Sequence, residues 1–170
     1  ELIKDGREVK VLTRPNSDTR NIDCLDVELA YGDLRDKDSL KKALKGCDVL
    51  YHTAAYYSLW DKDKTLIYEI NVEGTRNILS AASGLNKIVY TSTVGCIGLT
   101  PGKPANENTP MNVGLLCNDY KRSKYLAEEV AKEFCGKGLP LVIVNPSTPV
   151  GPRDIKPTPT GKIILDFLNR

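Results

Sequence analysis

Short apolar runs alternating with amphipathic helical stretches predict a doubly wound α/β domain built on a parallel sheet. Three observations carry this reading. Runs rich in Val, Ile, Leu and Tyr at 9–12, 27–31, 48–53, 87–91 and 141–145 have strand length. Most are separated by a stretch at helical period, which calls for βαβ units with right-handed crossovers. Each run also ends on polar or small residues, and in such sheets the ligand crevice lies outside the carboxyl ends of the strands.

Taken in order, Glu1-Leu2-Ile3-Lys4-Asp5-Gly6 reads as the tail of a helix stopped by glycine, so the chain is expected to begin in mid-element with something before it. Val9, Val11 and Leu12 make the first strand, ending at Thr13-Arg14-Pro15, and the strand at 27–31 stops at Gly32-Asp33. A short helix over 39–44, with Leu40, Ala43 and Leu44 on one side, leads to Gly46. The apolar run at 48–53 predicts a strand buried on both faces. A longer helix over 64–83 presents Ile67, Ile70, Ile78, Leu79 and Ala82, and a strand at 87–91 follows it. Residues 94–117, rich in Gly, Pro and Asn, form a loop of a length that usually marks function in a compact domain. The helix over 120–134 carries Leu126, Val130 and Phe134 beside Ala127 and Ala131, with Asn118 or Asp119 as N-cap and Gly136 and Gly138 as stops. The strand at 141–145, a proline-rich loop over 146–159 and a helix over 161–170 complete the pattern.

Composition bounds the function classes. The chain has 170 residues, 41% hydrophobic and 27% charged, as expected for one soluble globular domain. A net charge of +2, with Lys and Arg scattered, offers no surface for nucleic acid or anionic membrane. No apolar run approaches the ~18 residues of a membrane span, and no signal-peptide pattern opens the chain, so a cytoplasmic location is expected. Cys24, Cys47, Cys96, Cys117 and Cys135 show no C-x-x-C and read as reduced structural thiols. With His52 as the single histidine, no metal site is expected.

The chemistry centres on Tyr120 and Lys124, one helical turn apart on the same face. An ammonium beside a phenol lowers its pKa from about 10 toward the range where it exchanges protons with a substrate oxygen near neutral pH. With 8 tyrosines in the chain one such spacing is ordinary by chance, and its weight comes from its surroundings. Thr93, just past the fourth strand, supplies a hydroxyl able to bond the same substrate oxygen. Ser92 is the fallback, because side chains alternate along an extended segment and only one of the two faces the crevice. Arg14, at the end of the first strand, stands where dinucleotide folds discriminate their cofactors: an acidic residue accepts from a ribose 2′-OH, an arginine suits a 2′-phosphate. Tyr56, Tyr57 and Trp60, with Arg153, are candidates to line a pocket.

The blocks Gly32-Asp33-Leu34-Arg35-Asp36, His52-Thr53-Ala54-Ala55, Asn71-Val72-Glu73-Gly74-Thr75, Tyr90-Thr91-Ser92-Thr93, Tyr120-x-x-x-Lys124 and Asn145-Pro146 together resemble the extended short-chain dehydrogenase/reductase family. That group includes the NAD-dependent epimerase/dehydratases and the dihydroflavonol-4-reductase-like enzymes. The segment over 145–161 most resembles the hopanoid-associated sugar epimerase subgroup. The resemblance implies an NAD(P)-binding Rossmann domain over 1–170, incomplete at both ends, because the family's first strand and glycine-rich turn and its C-terminal part are absent. It implies that Asp33 and Leu34 contact the adenine, that Thr53, Ala54 and Ala55 line the dinucleotide path, and that Asn71 supports the active site. Thr93, Tyr120 and Lys124 form the catalytic set, with Thr93 in place of the commoner Ser. Lys124 also bonds the nicotinamide ribose, and Pro146, Ser147 and Thr148 pack near the nicotinamide. The implied cofactor is NADP, with NAD as the alternative, and the implied partners are a small-molecule substrate and, as an allowed assembly, a second copy in a homodimer. The expected activity is oxidoreduction, epimerisation or dehydration at a carbonyl or alcohol carbon, possible sugars included. The competing reading is a non-catalytic dinucleotide-binding sensor or scaffold.

Overall fold

The computed structural model describes residues 1–57, 64–155 and 159–169. They form two compact units, Glu1–Tyr31 with Thr148–Arg170, and Gly32–Ser147.

The first unit opens with a turn closed by Gly6 at φ 71°. There the Arg7 N–H donates to Leu2 O and the Gly6 N–H to Ile3 O, both at 3.0 Å. This paired bonding at a left-handed glycine is how an α-helix terminates, as expected for a helix tail. β1 (Lys10–Thr13) and β2 (Glu28–Tyr31) then pair in parallel, from Lys10↔Glu28 to Thr13↔Tyr31. α5 (Pro159–Leu168) starts two residues before its expected place, with proline at a first-turn position where its missing N–H costs nothing. Its Ile163, Phe167 and Leu168 are exposed.

The second unit carries the core. α1 (Lys37–Leu44) is capped by Asp36, whose carboxylate accepts from the N–H groups of Asp38 and Ser39, and buries Leu40. β3 (Val49–His52), β4 (Lys87–Thr91) and β5 (Leu141–Val144) form a parallel sheet in that order. Leu50 lies opposite Ile88 and Ile88 opposite Leu141, and one pleat on His52, Tyr90 and Ile143 align. Ile88, Tyr90, His52 and Leu141 are buried. Burial on both faces of β3, expected from its apolar run, is not what the structure shows: Val49 and Tyr51 are exposed, as are Val142 and Val144 on the same face of β5. The second unit's helices bury only the face that carries His52 and Tyr90.

The helix expected over 64–83 is continuous but irregular. α2 (Lys64–Tyr68) runs into a π-turn, Glu69–Glu73, and then α3 (Gly74–Ala81). A π-turn inserts one extra residue and frees polar groups from the helical ladder. Here the Asn71 carbonyl takes the Thr75 hydroxyl at 2.7 Å. Gly74 is required where it stands, since a Cβ would lie 2.8 Å from the Cβ of Leu34.

α4 (Asp119–Gly136) is capped by Asn118, which accepts from the Lys121 N–H at 2.8 Å. It ends at Gly138, φ 90°, with Leu139 N–H on Phe134 O at 3.1 Å. Its inward face differs from the expected stripe. Ser123, Lys124, Ala127, Glu128, Val130 and Ala131 are buried, whereas Leu126 is 39% exposed. Two charged side chains thus occupy the buried face and the leucine does not. Arg76 of α3 meets Glu133 of α4 at 3.0 Å. Among the described residues no helix is long and apolar enough to cross a membrane. Trp60 lies outside the described residues.

Candidate active site

Thr53 to Ala55, Ser92 and Thr93, and Pro146 and Ser147 stand at the carboxyl ends of β3, β4 and β5 in the second unit. Thr53, Ala54 and Ala55, directly after β3, are all exposed, and the two small side chains leave the main chain open. The segment is held from behind by Asn71. Its Oδ1 accepts from Tyr56 N–H at 2.6 Å and its Nδ2 donates to Tyr56 O at 2.9 Å, so the amide pairs with that residue as a strand neighbour would. The same Nδ2 also donates to Ser123 Oγ at 2.9 Å, and Ser123 Oγ donates to Tyr120 O at 2.8 Å. Asn71 therefore ties the end of β3 to the first turn of α4, where Tyr120 lies.

That turn is anchored again at Asp119, whose carboxylate accepts from Tyr68 Oη at 2.9 Å and meets Lys64 at 3.3 Å. The half-buried Tyr120 ring packs edge-on against Tyr57, with centroids 4.4 Å apart and planes at 73°. Lys124 is 4% exposed. Its Nζ donates to Thr91 O at 2.9 Å and Tyr90 Oη at 3.3 Å. Two of its three N–H donors are so used, and the third is free for a ligand hydroxyl. Burial pushes Lys124 below its ordinary range.

The expectation that Lys124 lowers the Tyr120 pKa is overturned. Burial, and after it the nearby Tyr57 and Cys96, raise Tyr120 above its ordinary value. The ammonium is committed to Tyr90 and the end of β4, while the phenol is enclosed by apolar and neutral groups. Tyr120 thus holds its proton at neutral pH.

Ser92 and Thr93 face opposite ways, as alternation requires. Ser92 is buried and donates to Glu128 Oε2 at 2.5 Å. Thr93 caps the short turn Val94–Cys96, its Oγ1 accepting from the Gly95 N–H at 3.2 Å. A hydroxyl that accepts from the backbone keeps its own hydrogen to donate. Beyond the turn, Gly98 approaches the main chain so closely that a Cβ would lie 2.0 Å from Pro110 O, which folds the long 94–117 loop back on itself.

Other expected contacts fall out as follows. The Asp33 carboxylate is engaged by Arg35 at 2.9 Å, and the Leu34 side chain is buried with its carbonyl bonded to Asn77 at 2.9 Å. A ligand contact by Leu34 is therefore left to its main chain. Pro146 accepts from the Val94 N–H at 3.0 Å, and Ser147 is exposed. Arg14, Thr148 and Arg153 belong to the first unit, where all three are exposed.

Sequence reasoning missed the buried His52 and Glu128. His52 Nε2 lies 3.1 Å from Thr75 Oγ1. Burial, with the Lys124 charge second, holds its pKa at about 3, so the ring is neutral. Glu128 had a sequence signal: it falls four residues past Lys124 and eight past Tyr120, on their face of the helix. Among the described residues no group of three or more His, Cys, Asp or Glu is placed to hold a metal ion.

These elements define a parallel α/β nucleotide-binding fold with Thr93 just past β4 and Tyr120 and Lys124 on the helix that bonds the end of that strand. Residues 1–170 match the NAD dependent epimerase/dehydratase family, and the chain belongs to it. A solved structure described as gox2253 is 52% identical, with a TM-score of 0.88 over 97% of this chain and 51% of that one. A Synechocystis protein provisionally named a dihydroflavonol 4-reductase is 48% identical over 99% of this chain and 50% of its own length. The UDP-glucose 4-epimerase of Thermus thermophilus, solved with NAD, is 27% identical, with a TM-score of 0.81 over 96% of this chain and 55% of that one. The chain thus spans about half the length of these relatives.

The residues present fit a nicotinamide dinucleotide. Exposed small side chains after β3 leave main chain open for such a ligand to approach, and the buried lysine bonded to the end of β4 keeps a donor for a ribose hydroxyl.

Proposed function

We propose that this chain is the cofactor-binding and proton-transferring part of an NADP-dependent enzyme that interconverts a carbonyl and an alcohol on a small molecule. The observation that carries the reading is the arrangement of α4 against β4. Lys124 bonds the carbonyl of Thr91, which ties the Tyr120 helix to the strand two residues before Thr93. When bound, the dinucleotide supplies or takes up the hydride; this chain's residues handle the oxygen and its proton. Thr93 donates a hydrogen bond to the substrate oxygen. Tyr120, neutral at pH 7, gives that oxygen its proton as hydride reaches the carbon, and takes it back in the reverse direction. The spare N–H of Lys124 orients the ribose. Thr53, Ala54, Ala55, Pro146, Ser147 and Thr148 line the dinucleotide, Asp33 and Leu34 meet the adenine, Asn71 supports the loop before Tyr57, and Arg14 reads a 2′-phosphate. Relatives whose names point to reductases and to sugar epimerases support both net reduction and a reversible transfer that ends in epimerisation.

The test is the full-length protein with Tyr120→Phe or Thr93→Ala. Tyr120→Phe lowers turnover at least ~10²-fold, the worth of a general acid–base group, with cofactor affinity nearly unchanged. Parental turnover in either variant removes that residue from the chemistry. Absence of turnover in the parent, with dinucleotide still bound, favours the non-catalytic sensor or scaffold.

A further inference from the structure

Glu128 is a charged residue 5% exposed, on the buried face of α4. Its Oε2 accepts from Ser92 Oγ at 2.5 Å and from Asn145 Nδ2 at 2.8 Å, and its Oε1 meets Lys132 at 2.9 Å. One carboxylate therefore joins the end of β4, the end of β5 and its own helix. Burial pushes its pKa up, but the bonds from Ser92, Lys132 and Asn145 outweigh that and leave it below the ordinary value, so it is ionised.

A buried charge is costly, and an apolar side chain of similar size would pack the same space. The network must therefore be judged by what it fixes. The β4–β5 ladder continues past both strands through Ser92 N–H on Val144 O at 2.8 Å and Val94 N–H on Pro146 O at 3.0 Å. Between those rungs the Asn145 amide uses one hydrogen on Glu128 and the other on Thr93 O at 3.0 Å. Thr93 is then held at three points, its carbonyl by Asn145 and by the Cys96 N–H, both at 3.0 Å, and its Oγ1 by the Gly95 N–H. None of these contacts comes from Tyr120 or Lys124.

We propose that Glu128 is a positioning residue which, through Asn145, locks the Thr93 main chain and so fixes the direction of the Thr93 hydroxyl. Its catalytic relevance rests on the reading of Thr93 given above, but the positioning itself is measurable without turnover. A glutamine at 128 keeps the shape but replaces one acceptor oxygen with a donor. It then cannot accept from Ser92 and Asn145 on one side while meeting Lys132 on the other. With the glutamine oxygen kept on Lys132 and its Nε2 turned to Ser92 and Asn145, the Asn145 amide loses its anchor and Thr93 gains rotamer freedom.

The experiment is nuclear magnetic resonance on the full-length protein uniformly labelled with carbon-13 and nitrogen-15, reading the three-bond N–Cγ coupling of Thr93 and the exchange of the Gly95 N–H. In the parent the coupling reports a single rotamer. In Glu128→Gln it falls to an averaged value and Gly95 exchange rises about ten-fold, while exchange at Ala127 and Val130 stays parental. Asn145→Ala gives the same pattern, and Ser92→Ala, which removes a Glu128 bond without touching Thr93, does not. An unchanged Thr93 coupling in a folded Glu128→Gln or Asn145→Ala protein overturns the proposal. So does equal averaging in Ser92→Ala, which makes the network general packing, and so does failure of both Glu128→Gln and Asn145→Ala to fold. Failure of the catalytic reading shows separately, as parental turnover in Thr93→Ala with the Thr93 rotamer behaving as proposed.

Discussion

The two units obey the same local rules and differ in what those rules achieve. In both, parallel strands pair in clean register, and in both a left-handed glycine closes a helical end, Gly6 in the first and Gly138 in the second. Every buried hydrophobic side chain among the described residues, however, belongs to Gly32–Ser147. In the first unit Val11 and Leu12 are only half-buried and α5 exposes its apolar residues. Local structure therefore needs no core, whereas the buried polar network around Asn71, Glu128 and Lys124 does. Hydrogen bonds of that kind gain strength where water is excluded, and they cost most if left incomplete there.

Matched truncations test this difference with the largest expected effect. Ile88→Ala removes a fully buried β4 side chain and should cost about 2–5 kcal/mol in denaturant unfolding. Val11→Ala, on the half-buried β1, should cost about 1 kcal/mol or less, as substitutions away from packed cores do. Equal losses at the two positions would erase the distinction between the units.

What the sequence made legible follows the same division. Strand positions, the helix caps at Asn118 and Gly138 and the opposition of Ser92 to Thr93 depend on neighbours in the chain, and all were readable. The π-turn at Asn71 was not, and the partner of the Asn71 amide, the Tyr56 main chain, is 15 residues away. Spacing puts Glu128 on the face of Tyr120 and Lys124 and one turn before Lys132, its partner at 2.9 Å, but gives no reason for the hydrogen bonds that bury it. Its burial is decided by Ser92 and Asn145, 36 and 17 residues distant, and no spacing rule reaches that far. The Tyr120–Lys124 spacing was correct as geometry and misleading as electrostatics, since the ammonium found stronger acceptors on β4.

The only histidine lies in the second unit, which places any histidine-linked acid sensitivity there. His52 is held at about 3, below its ordinary 6.5, by burial and the Lys124 charge. With the folded pKa depressed, the unfolded chain binds more protons between the two values. Stability is then full above about pH 6.5 and is lost as pH falls toward 3, at a slope approaching ~1.4 kcal/mol per pH unit from this residue. Denaturant midpoints measured between pH 6.5 and 4.5 should decline in the parent and flatten in His52→Asn. A variant as acid-sensitive as the parent would assign the effect to other groups.

The smallest effect belongs to the first unit and concerns selection of ligand. Arg14 is exposed directly after β1, and its carbonyl accepts from Ser17 N–H at 3.1 Å, so the turn that carries it is shaped by backbone bonding and not by the guanidinium. Replacing the side chain should leave stability unchanged. A charge-assisted contact to a phosphate is worth about 1.5–3 kcal/mol, or roughly ten- to a hundred-fold in affinity. In the full-length protein Arg14→Ala should weaken NADPH binding by that factor and leave NADH binding near the parental value, read by fluorescence titration of each nucleotide. The loss should shrink as salt rises, since an exposed contact is screened within about 10 Å at 0.1 M. Equal parental affinity for the two cofactors would take Arg14 out of the phosphate contact. A loss of thermal stability in Arg14→Ala would instead give that loosely packed unit a structural dependence on Arg14 that its exposed position does not predict.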